Sequence, residues 1–228
     1  MFEILSQGGP LVFLLLGCSL LAVGIFLERF FLFHRANLDV QDLLQGLSNL
    51  LHKKNFAEAL HVCAGTPGPV ARVVHAALVQ QEAPREELKQ IVQEAGQLEV
   101  PKLERYLGAL LAIAYIAPLI GLLGTVLGLI DTFIPVTANG FAASSDLAKG
   151  IYRSLVTSAA GLAVAIPSYI LYSYLAAALQ SLLHDMERGG IEIVNLITAT
   201  RQNKEIVDFK ESAQRLVEDQ KKRKLTGK

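Results

Sequence analysis

Three long uncharged runs set the pattern of hydrophobic and polar positions along this chain. They cover residues 10–27, 107–130 and 154–183, which are 18, 24 and 30 residues long. A helix needs about 20 mostly apolar residues to cross a bilayer, and the phenylalanine-rich residues 30–33 extend the first run past a Glu-Arg pair. The pattern predicts an all-α integral membrane protein with transmembrane helices at residues 10–33, 106–133 and 151–183.

Basic residues are strongly segregated, although the formal net charge is zero. Of the 21 Lys and Arg residues, nine lie within 29–105 and ten lie at or after Arg188. Only Lys149 and Arg153 lie in or beside the connection between the second and third runs. Because cytoplasmic segments carry the excess of basic residues, this connection is predicted to lie outside. The predicted topology has 1–9 and 134–150 outside, with the helical region 34–105 and the helix and basic tail 184–228 in the cytoplasm.

The first run is expected to stay in the protein as a helix. No Lys or Arg precedes it, and no small-x-small cleavage site follows it closely. The sequence Leu-Leu-Gly-Cys at 15–18 faintly resembles a lipoprotein cleavage site, but the apolar run continues after Cys18. Cys18 would lie in the membrane and Cys63 in a reducing compartment, so we expect no disulfide. Cys63 is expected to be a small core residue.

The segments outside the three runs are also predicted to be helical. Apolar spacing and turn residues predict helices over 40–51, from Asn55 and over 70–79, with a turn at 66–69. Residues 84–99 are polar but favour a helix. Pro101 predicts a kink or a break before the second span. The apolar spacing of residues 184–219, which contain no proline, predicts that the third span continues into the cytoplasm as one long helix.

Small and hydroxyl side chains share one face in each of the two later spans, because residues three or four apart lie on the same side of a helix. The faces comprise Ala117, Gly121, Thr125 and Gly128 in the second span, and Ser154, Ser158, Gly161, Ala165 and Ser168, bordered by Thr157, in the third. Such faces suit either close helix packing or a polar path through the membrane. Pro167 is consistent with a kink whose free carbonyl a neighbouring hydroxyl satisfies, or with packing.

The same residues carry a family resemblance. The run Ala-Pro-Leu-Ile-Gly-Leu-Leu-Gly-Thr-Val-Leu-Gly at 117–128, followed by 157–167, resembles the MotA/TolQ/ExbB proton-channel family. Residues 27–29 and 56–63 are similar to that family as well, and the resemblance covers about residues 10–185. Three spans, with a cytoplasmic segment between the first and the second, resemble the TolQ/ExbB branch.

The resemblance implies a homopentamer in the inner membrane of a Gram-negative bacterium, with a periplasmic amino terminus and a cytoplasmic carboxyl terminus. It implies a single-span partner similar to TolR or ExbD, whose intramembrane aspartate carries protons, and a force-transmitting protein similar to TonB or TolA. By motif, the proton pathway is lined by Thr125, Thr157 and Ser158, and the packing around the pore involves Gly121, Gly124, Gly128, Gly161 and Pro167. Ser158 stands where the family usually has a threonine.

Charges occur only near the ends of the spans. Asp131 and Arg153 are candidate charges at the outer mouth of the pathway, and Arg153 departs from the glutamate usual in the family. We expect Arg153 to pair with Asp131 or Asp146, or to extend to the lipid headgroups. No carboxylate lies deep within a span. A proton relay needs a titratable group, so proton conduction would require a carboxylate from a partner.

Two classes of function are consistent with these residues and a third is not. The first is an energising subunit driven by proton-motive force, which powers TonB-dependent import or Tol-type envelope maintenance. The second is a non-conducting membrane scaffold for a protein-transport or envelope complex. An enzyme is not expected, and neither is a metal or cofactor, because the chain lacks a nucleophile–base set, a metal-spaced His/Cys cluster and a phosphate-binding loop. The basic end 221–228 suits anionic headgroups rather than nucleic acid.

Overall fold

The computed structural model describes residues 10–36, 40–53, 55–139 and 144–226, which form seven α-helices and no strand. The predicted amino-terminal segment 1–9 lies outside the described residues, as do residues 227–228 of the basic tail. The helices are α1 (Pro10–Ala36), α2 (Val40–His52), α3 (Phe56–Gly65), α4 (Pro69–Val79), α5 (Arg85–Glu104), α6 (Leu107–Asn139) and α7 (Ser144–Thr226). The all-α class predicted from the sequence is confirmed.

Within the described residues, three stretches of helix are long and apolar enough to cross a membrane. They lie within Pro10–Ala36, Arg85–Ile134 and Ser145–Gln202. Helix α6 continues to Asn139 and α7 begins at Ser144, so helix occupies most of the segment 134–150 that was expected to be a loop. Apolar residues continue past the predicted end of the second span, and Asp146 lies in the first turn of α7, where a negative charge stabilises a helix.

The chain divides into two compact units. The first comprises the described parts of residues 1–34 and 102–180, and so contains most of α1, all of α6 and the first part of α7. These three helices meet at Leu15, Ala117 and Ala165, which are all buried. Large apolar side chains on the outside of this unit, such as Phe13 and Leu119, are more than half exposed. A bundle that exposes apolar side chains suits a lipid environment.

Arg29 in α1 is a buried cation, only 2% exposed. Its Nη1 donates to the carbonyl of Lys102 at 3.1 Å, close to the end of α5, and its guanidinium lies 5.1 Å from the centre of the Tyr106 ring. Tyr106 has a φ of 66°, which turns the chain out of the helix before α6 begins. Pro101 lies inside α5, so the break falls at Tyr106 and not at the proline. A proline removes one helical hydrogen bond, whereas a positive φ reverses the helical twist.

The second unit comprises the described parts of residues 35–101 and 181–228. The Asn55 side chain accepts a hydrogen bond from the amide of Glu58 and caps α3. Gly68, with a φ of 137°, makes the turn into α4. Cys63 is 2% exposed, which confirms its predicted place in the core, and burial raises the pKa of its thiol to about 11. Each helix predicted from the spacing of residues 40–99 is present.

Helix α7 continues without interruption from Ser144 to Thr226, which confirms the predicted long helix. The paired glycines at 189 and 190 do not end it. A Cβ at Gly190 would overlap Cγ1 of Val92 in α5, so glycine lets these two helices pack closely. Further along, Arg201 Nη1 donates to the carbonyl of Ala83 at 2.6 Å. These contacts support the helical conformation of the described part of the tail.

We expect Arg29→Ala to lower the free energy of unfolding by about 1.5–3 kcal/mol, because a charge-assisted hydrogen bond is lost from a buried position. Unfolding of the full-length protein in detergent micelles, followed by circular dichroism, measures this change. Glu28→Gln is the matched control. Glu28 is 55% exposed and lies 3.5 Å from Arg29, so its loss should cost less than about 1 kcal/mol. Equal losses in the two variants would contradict the role of Arg29 at this junction.

Candidate functional site

The candidate site is centred on the place where α6 and α7 cross with almost no side chain between them. A Cβ built on Gly161 would lie 2.7 Å from the carbonyl oxygen of Ala117 and 2.9 Å from Cα of Gly121. A Cβ on Gly121 would lie 3.2 Å from Cα of Gly161 and from Cα of Ser158. The first pair of distances leaves no room for any side chain, and the second leaves very little. The two backbones therefore touch here because both residues are glycine.

The same packing repeats along the antiparallel helices. As α6 advances from Gly121 in steps of three or four residues, its contact on α7 moves back from Gly161 in steps of four or three. In these successive contacts a glycine of one helix faces a hydroxyl side chain of the other: Gly124 faces Thr157, Gly128 faces Ser154 and Gly150 faces Thr132. A Cβ at any of these three glycines would overlap the facing side chain. The predicted small-residue faces therefore lie against each other.

Thr125 and Ser158 form a hydrogen-bonded hydroxyl pair between the two helices. Thr125 Oγ1 also lies 3.1 Å from the carbonyl oxygen of Gly121, and Ser158 Oγ lies 3.2 Å from the same oxygen. Two hydroxyls and one carbonyl thus form a small polar cluster inside an apolar bundle. Among the described side chains this is the one hydroxyl–hydroxyl bond that joins the two helices. Both side chains are half-buried.

Three other hydroxyls near this contact donate within their own helices. Thr157 donates to the carbonyl of Arg153 at 3.3 Å, and Ser154 donates to that of Gly150 at 2.9 Å. Ser168 donates to the carbonyl of Val164 at 2.7 Å, one residue after the carbonyl that Pro167 leaves without an amide donor. Back-bonding of this kind satisfies a hydroxyl without a partner helix. The predicted site residue Thr157 therefore lies beside the interhelical pair and does not take part in its hydrogen bond.

Asp131 and Arg153, the two candidate charges at the outer mouth, line one cavity near the connection between α6 and α7. The cavity has a volume of about 390 Å³ and lies between α1, α6 and α7. Asp131 and Arg153 both line it, and both are exposed. Within the described part of the chain neither forms an ion pair, so the expected pairing of Arg153 with Asp131 or Asp146 is not found. Both side chains extend from the helices into open space.

The site contains hydroxyls and carbonyls but no acid. Neither residues 107–130 nor residues 154–183 contain a carboxylate. A hydroxyl both donates and accepts a hydrogen bond, so the Thr125–Ser158 pair suits the passage of a proton along a chain of hydrogen bonds. It does not suit the storage of a proton. Across the described ranges, no group of three or more His, Cys, Asp or Glu residues is placed to hold a metal ion.

Sequence reasoning missed part of this arrangement. It placed Gly121, Thr125, Gly128, Ser158 and Gly161 on faces that do meet, and the resemblance added Gly124, but the outermost contact between Thr132 and Gly150 was not included. The signal was present, because these two residues continue the spacing of the two faces toward the connection. Pro10 and Leu11 of α1 form one wall of the cavity, and no spacing pattern in the sequence indicates this.

A family model described as the MotA/TolQ/ExbB proton channel family matches residues 66–188, which include α6 and the whole α6–α7 contact. The chain is also similar to curated proteins. A biopolymer transport protein of Methanothermobacter thermautotrophicus, named as an ExbB homolog, is 28% identical over 86% of this chain and 68% of its own length. An ExbB-like biopolymer transport protein of Synechocystis sp. is 31% identical over 82% of this chain and 91% of its own length.

A third relative matches a shorter part of the chain more closely. The biopolymer transport protein ExbB of Aquifex aeolicus is 40% identical over 40% of this chain and 62% of its own length. The Synechocystis relative is above 30% identity and is covered almost end to end, so the likeness extends well beyond one motif.

We expect Gly161→Val to lower the free energy of unfolding by at least about 1–3 kcal/mol, because a larger residue would push the two backbones apart. Unfolding of the full-length protein in detergent micelles measures the change. Gly24→Val is the matched control, since Gly24 lies in α1 and a Cβ there meets nothing within 4 Å. A loss at Gly24 as large as that at Gly161 would show that helix propensity, and not the helix contact, sets the cost.

Proposed function

Because the chain belongs to the MotA/TolQ/ExbB proton channel family, we propose that it is an ExbB-like energising subunit, which couples proton flow across a membrane to work in an envelope complex. The observation that carries the proposal is the interhelical hydroxyl pair of Thr125 and Ser158. Both oxygens share the Gly121 carbonyl, so each hydroxyl has more than one hydrogen-bond partner within reach. Such a cluster passes a proton by exchanging its hydrogen bonds.

The proposed pathway is completed by a partner. The two spans have no carboxylate deep within them, and the family resemblance implies a single-span helix similar to that of TolR or ExbD with an intramembrane aspartate. In this scheme the partner's aspartate takes up and releases the proton. The Thr125–Ser158 pair lies beside that aspartate and passes the proton along its hydrogen bonds. Five copies of the chain would surround the partner, and a protein similar to TonB or TolA would transmit the force.

The proposed location is an inner membrane, with the connection between α6 and α7 on the periplasmic side and the second unit in the cytoplasm. Support comes from the distribution of charge, since 19 of the 21 Lys and Arg residues fall on the side proposed to be cytoplasmic. The proposed role is transport and force generation and not an enzymatic reaction. TonB-dependent import and Tol-type envelope maintenance are the two processes proposed for its output.

We expect the double variant Thr125→Val/Ser158→Ala to abolish proton flux while the complex still assembles. Valine preserves the shape of threonine, and alanine removes a single oxygen, so packing is largely kept while the hydroxyls are lost. The measurement is proton flux into proteoliposomes that contain the full-length chain and its co-purified partner, followed with a pH-sensitive dye under an imposed membrane potential.

Ser168→Ala is the control for this experiment. It removes a buried hydroxyl from the same helix, but one that donates within its own helix, so flux should stay within about twofold of the unaltered complex. Normal flux from an assembled Thr125→Val/Ser158→Ala complex would refute the channel proposal. It would favour the alternative that the chain is a non-conducting scaffold for an envelope or protein-transport complex.

We expect the full-length chain extracted in a mild detergent to be an oligomer of five copies. Large apolar side chains of the first unit, such as Phe13, Leu119 and Ile170, are more than half exposed and offer surface for both lipid and neighbouring copies. Native mass spectrometry measures the number of copies. A strictly monomeric mass, under conditions in which the helical circular dichroism signal is retained, would contradict the proposed assembly.

A further inference from the structure

The cavity between α1, α6 and α7 extends along about two turns of α6 and of α7. On α6 it runs from Thr132 to Gly124, and on α7 it runs from Gly150 to Thr157. Seven or eight residues of helix correspond to about 11 Å, which is roughly a third of the hydrocarbon thickness of a bilayer. The cavity therefore reaches well into the membrane-spanning part of the first unit.

The deep end of the cavity is lined by residues that neighbour the two cluster hydroxyls in sequence. Gly124 and Thr157 line that end, and they are the residues directly before Thr125 and Ser158 in the chain. The other end carries the exposed side chains of Asp131 and Arg153. One cavity thus extends from two charged groups at the end of the bundle to the residues directly before the two hydroxyls in the chain.

The lining of the cavity suits water. Its volume of about 390 Å³ corresponds to roughly a dozen water molecules in the liquid. Three hydroxyls line it, those of Thr132, Ser154 and Thr157, and each donates to a carbonyl of its own helix. A hydroxyl that has donated its hydrogen still accepts hydrogen bonds. The cavity therefore offers water several acceptors, which a dry apolar cavity lacks.

We propose that this cavity is a water-filled vestibule within a single subunit, through which protons reach the Thr125–Ser158 pair from the side of the membrane that carries the α6–α7 connection. Asp131 and Arg153 at its mouth set the electrostatic potential that an entering cation meets. The passage of protons rests on the function proposed above, whereas the presence of water does not. Tests of the two parts can therefore fail separately.

The charges at the mouth have opposite effects on an entering cation. Arg153 alone would repel hydronium, and Asp131 alone would attract cations of every kind. Because the two side chains form no ion pair with each other, each acts on mobile ions separately. Together they leave the mouth close to neutral. Arg153 is then the residue that offsets the attraction of Asp131 for cations of every kind.

Cysteine accessibility tests the vestibule without any measurement of flux. The background is Cys18→Ser/Cys63→Ser, which removes both native thiols. Ser154→Cys and Thr157→Cys place a thiol in the cavity at two depths, and Leu155→Cys places one at a similar depth on a side chain that is 58% exposed outside it. Full-length protein in membrane vesicles is treated with a membrane-impermeant methanethiosulfonate from either side.

We expect the Ser154→Cys thiol to react at least about tenfold faster than that of Leu155→Cys, and only with reagent on the side of the α6–α7 connection, because the thiolate that reacts forms in water. Equal and slow reaction of the Ser154→Cys, Thr157→Cys and Leu155→Cys thiols would overturn the vestibule. That result, together with normal hydroxyl-dependent flux, would leave the proposed function intact. Conversely, fast labelling together with flux that survives loss of both hydroxyls would refute the proposed function alone.

Cationic and anionic thiol reagents test the electrostatic role of Asp131 and Arg153 at the mouth of the cavity. We expect Arg153→Gln to raise the ratio of cationic to anionic labelling rates at Ser154→Cys by about fivefold at low salt, and Asp131→Asn to lower it by a similar factor, since a unit charge acts on the two reagents with opposite sign. An unchanged ratio in both variants would overturn the electrostatic role of the two residues.

A larger side chain in place of Leu11 tests whether the proton flux passes through the vestibule. Leu11 lines the cavity, and its Cδ1 lies 3.4 Å from a Cβ built on Gly124, so Leu11→Trp should fill part of the space. We expect it to slow both the labelling of Ser154→Cys and the proton flux of the complex. Phe13→Trp is the matched control, because Phe13 is 64% exposed on the outside of α1. A Leu11→Trp variant that blocks labelling but conducts normally would show that protons take another route.

Discussion

The contact between the backbones of α6 and α7 at Gly121 and Gly161 is the constraint on which the rest of the membrane-spanning unit depends. Gly161 has no room for a side chain and Gly121 has very little, so the helices approach until main-chain atoms touch. In lipid the hydrophobic effect contributes little to helix association, and close packing of small residues takes its place. The short separation is also what brings the hydroxyls of Thr125 and Ser158 together, since neither side chain is long enough to bridge two helices at an ordinary spacing.

Several polar groups of this unit form hydrogen bonds close to where they lie. Thr132, Ser154, Thr157 and Ser168 donate to carbonyls of their own helices. The buried charge of Arg29 lies near the end of α5, where the Lys102 carbonyl accepts its hydrogen bond. The Thr125–Ser158 pair differs from these hydroxyls, because it joins two helices through their side chains. A hydrogen bond within a helix needs no neighbour, whereas one between helices exists only in the folded bundle.

Much of the fold follows from local patterns, and the exceptions have physical reasons. The uncharged runs specify the spanning helices because the length of a helix must match the bilayer. The break before α6 was expected at Pro101 but falls at Tyr106, where the positive φ coincides with the Arg29 guanidinium beside the ring. That contact comes from α1, which is distant in sequence, and no local pattern encodes it. The cavity is equally non-local, since Pro10 and Leu11 of α1 close a space whose other walls belong to α6 and α7.

By itself the sequence determined the number of spans, the helical class, the two small-residue faces and the absence of a carboxylate within them, because these properties depend on residues close together along one chain. Only the tertiary structure decided how those faces are aligned. It placed Gly121 against Gly161 and Thr125 against Ser158, left Thr157 bonded to its own helix, and set Asp131 and Arg153 at one cavity without an ion pair. The reason is that helical spacing specifies which residues share a face, while the relative position of two helices depends on which side chains interlock when the faces meet.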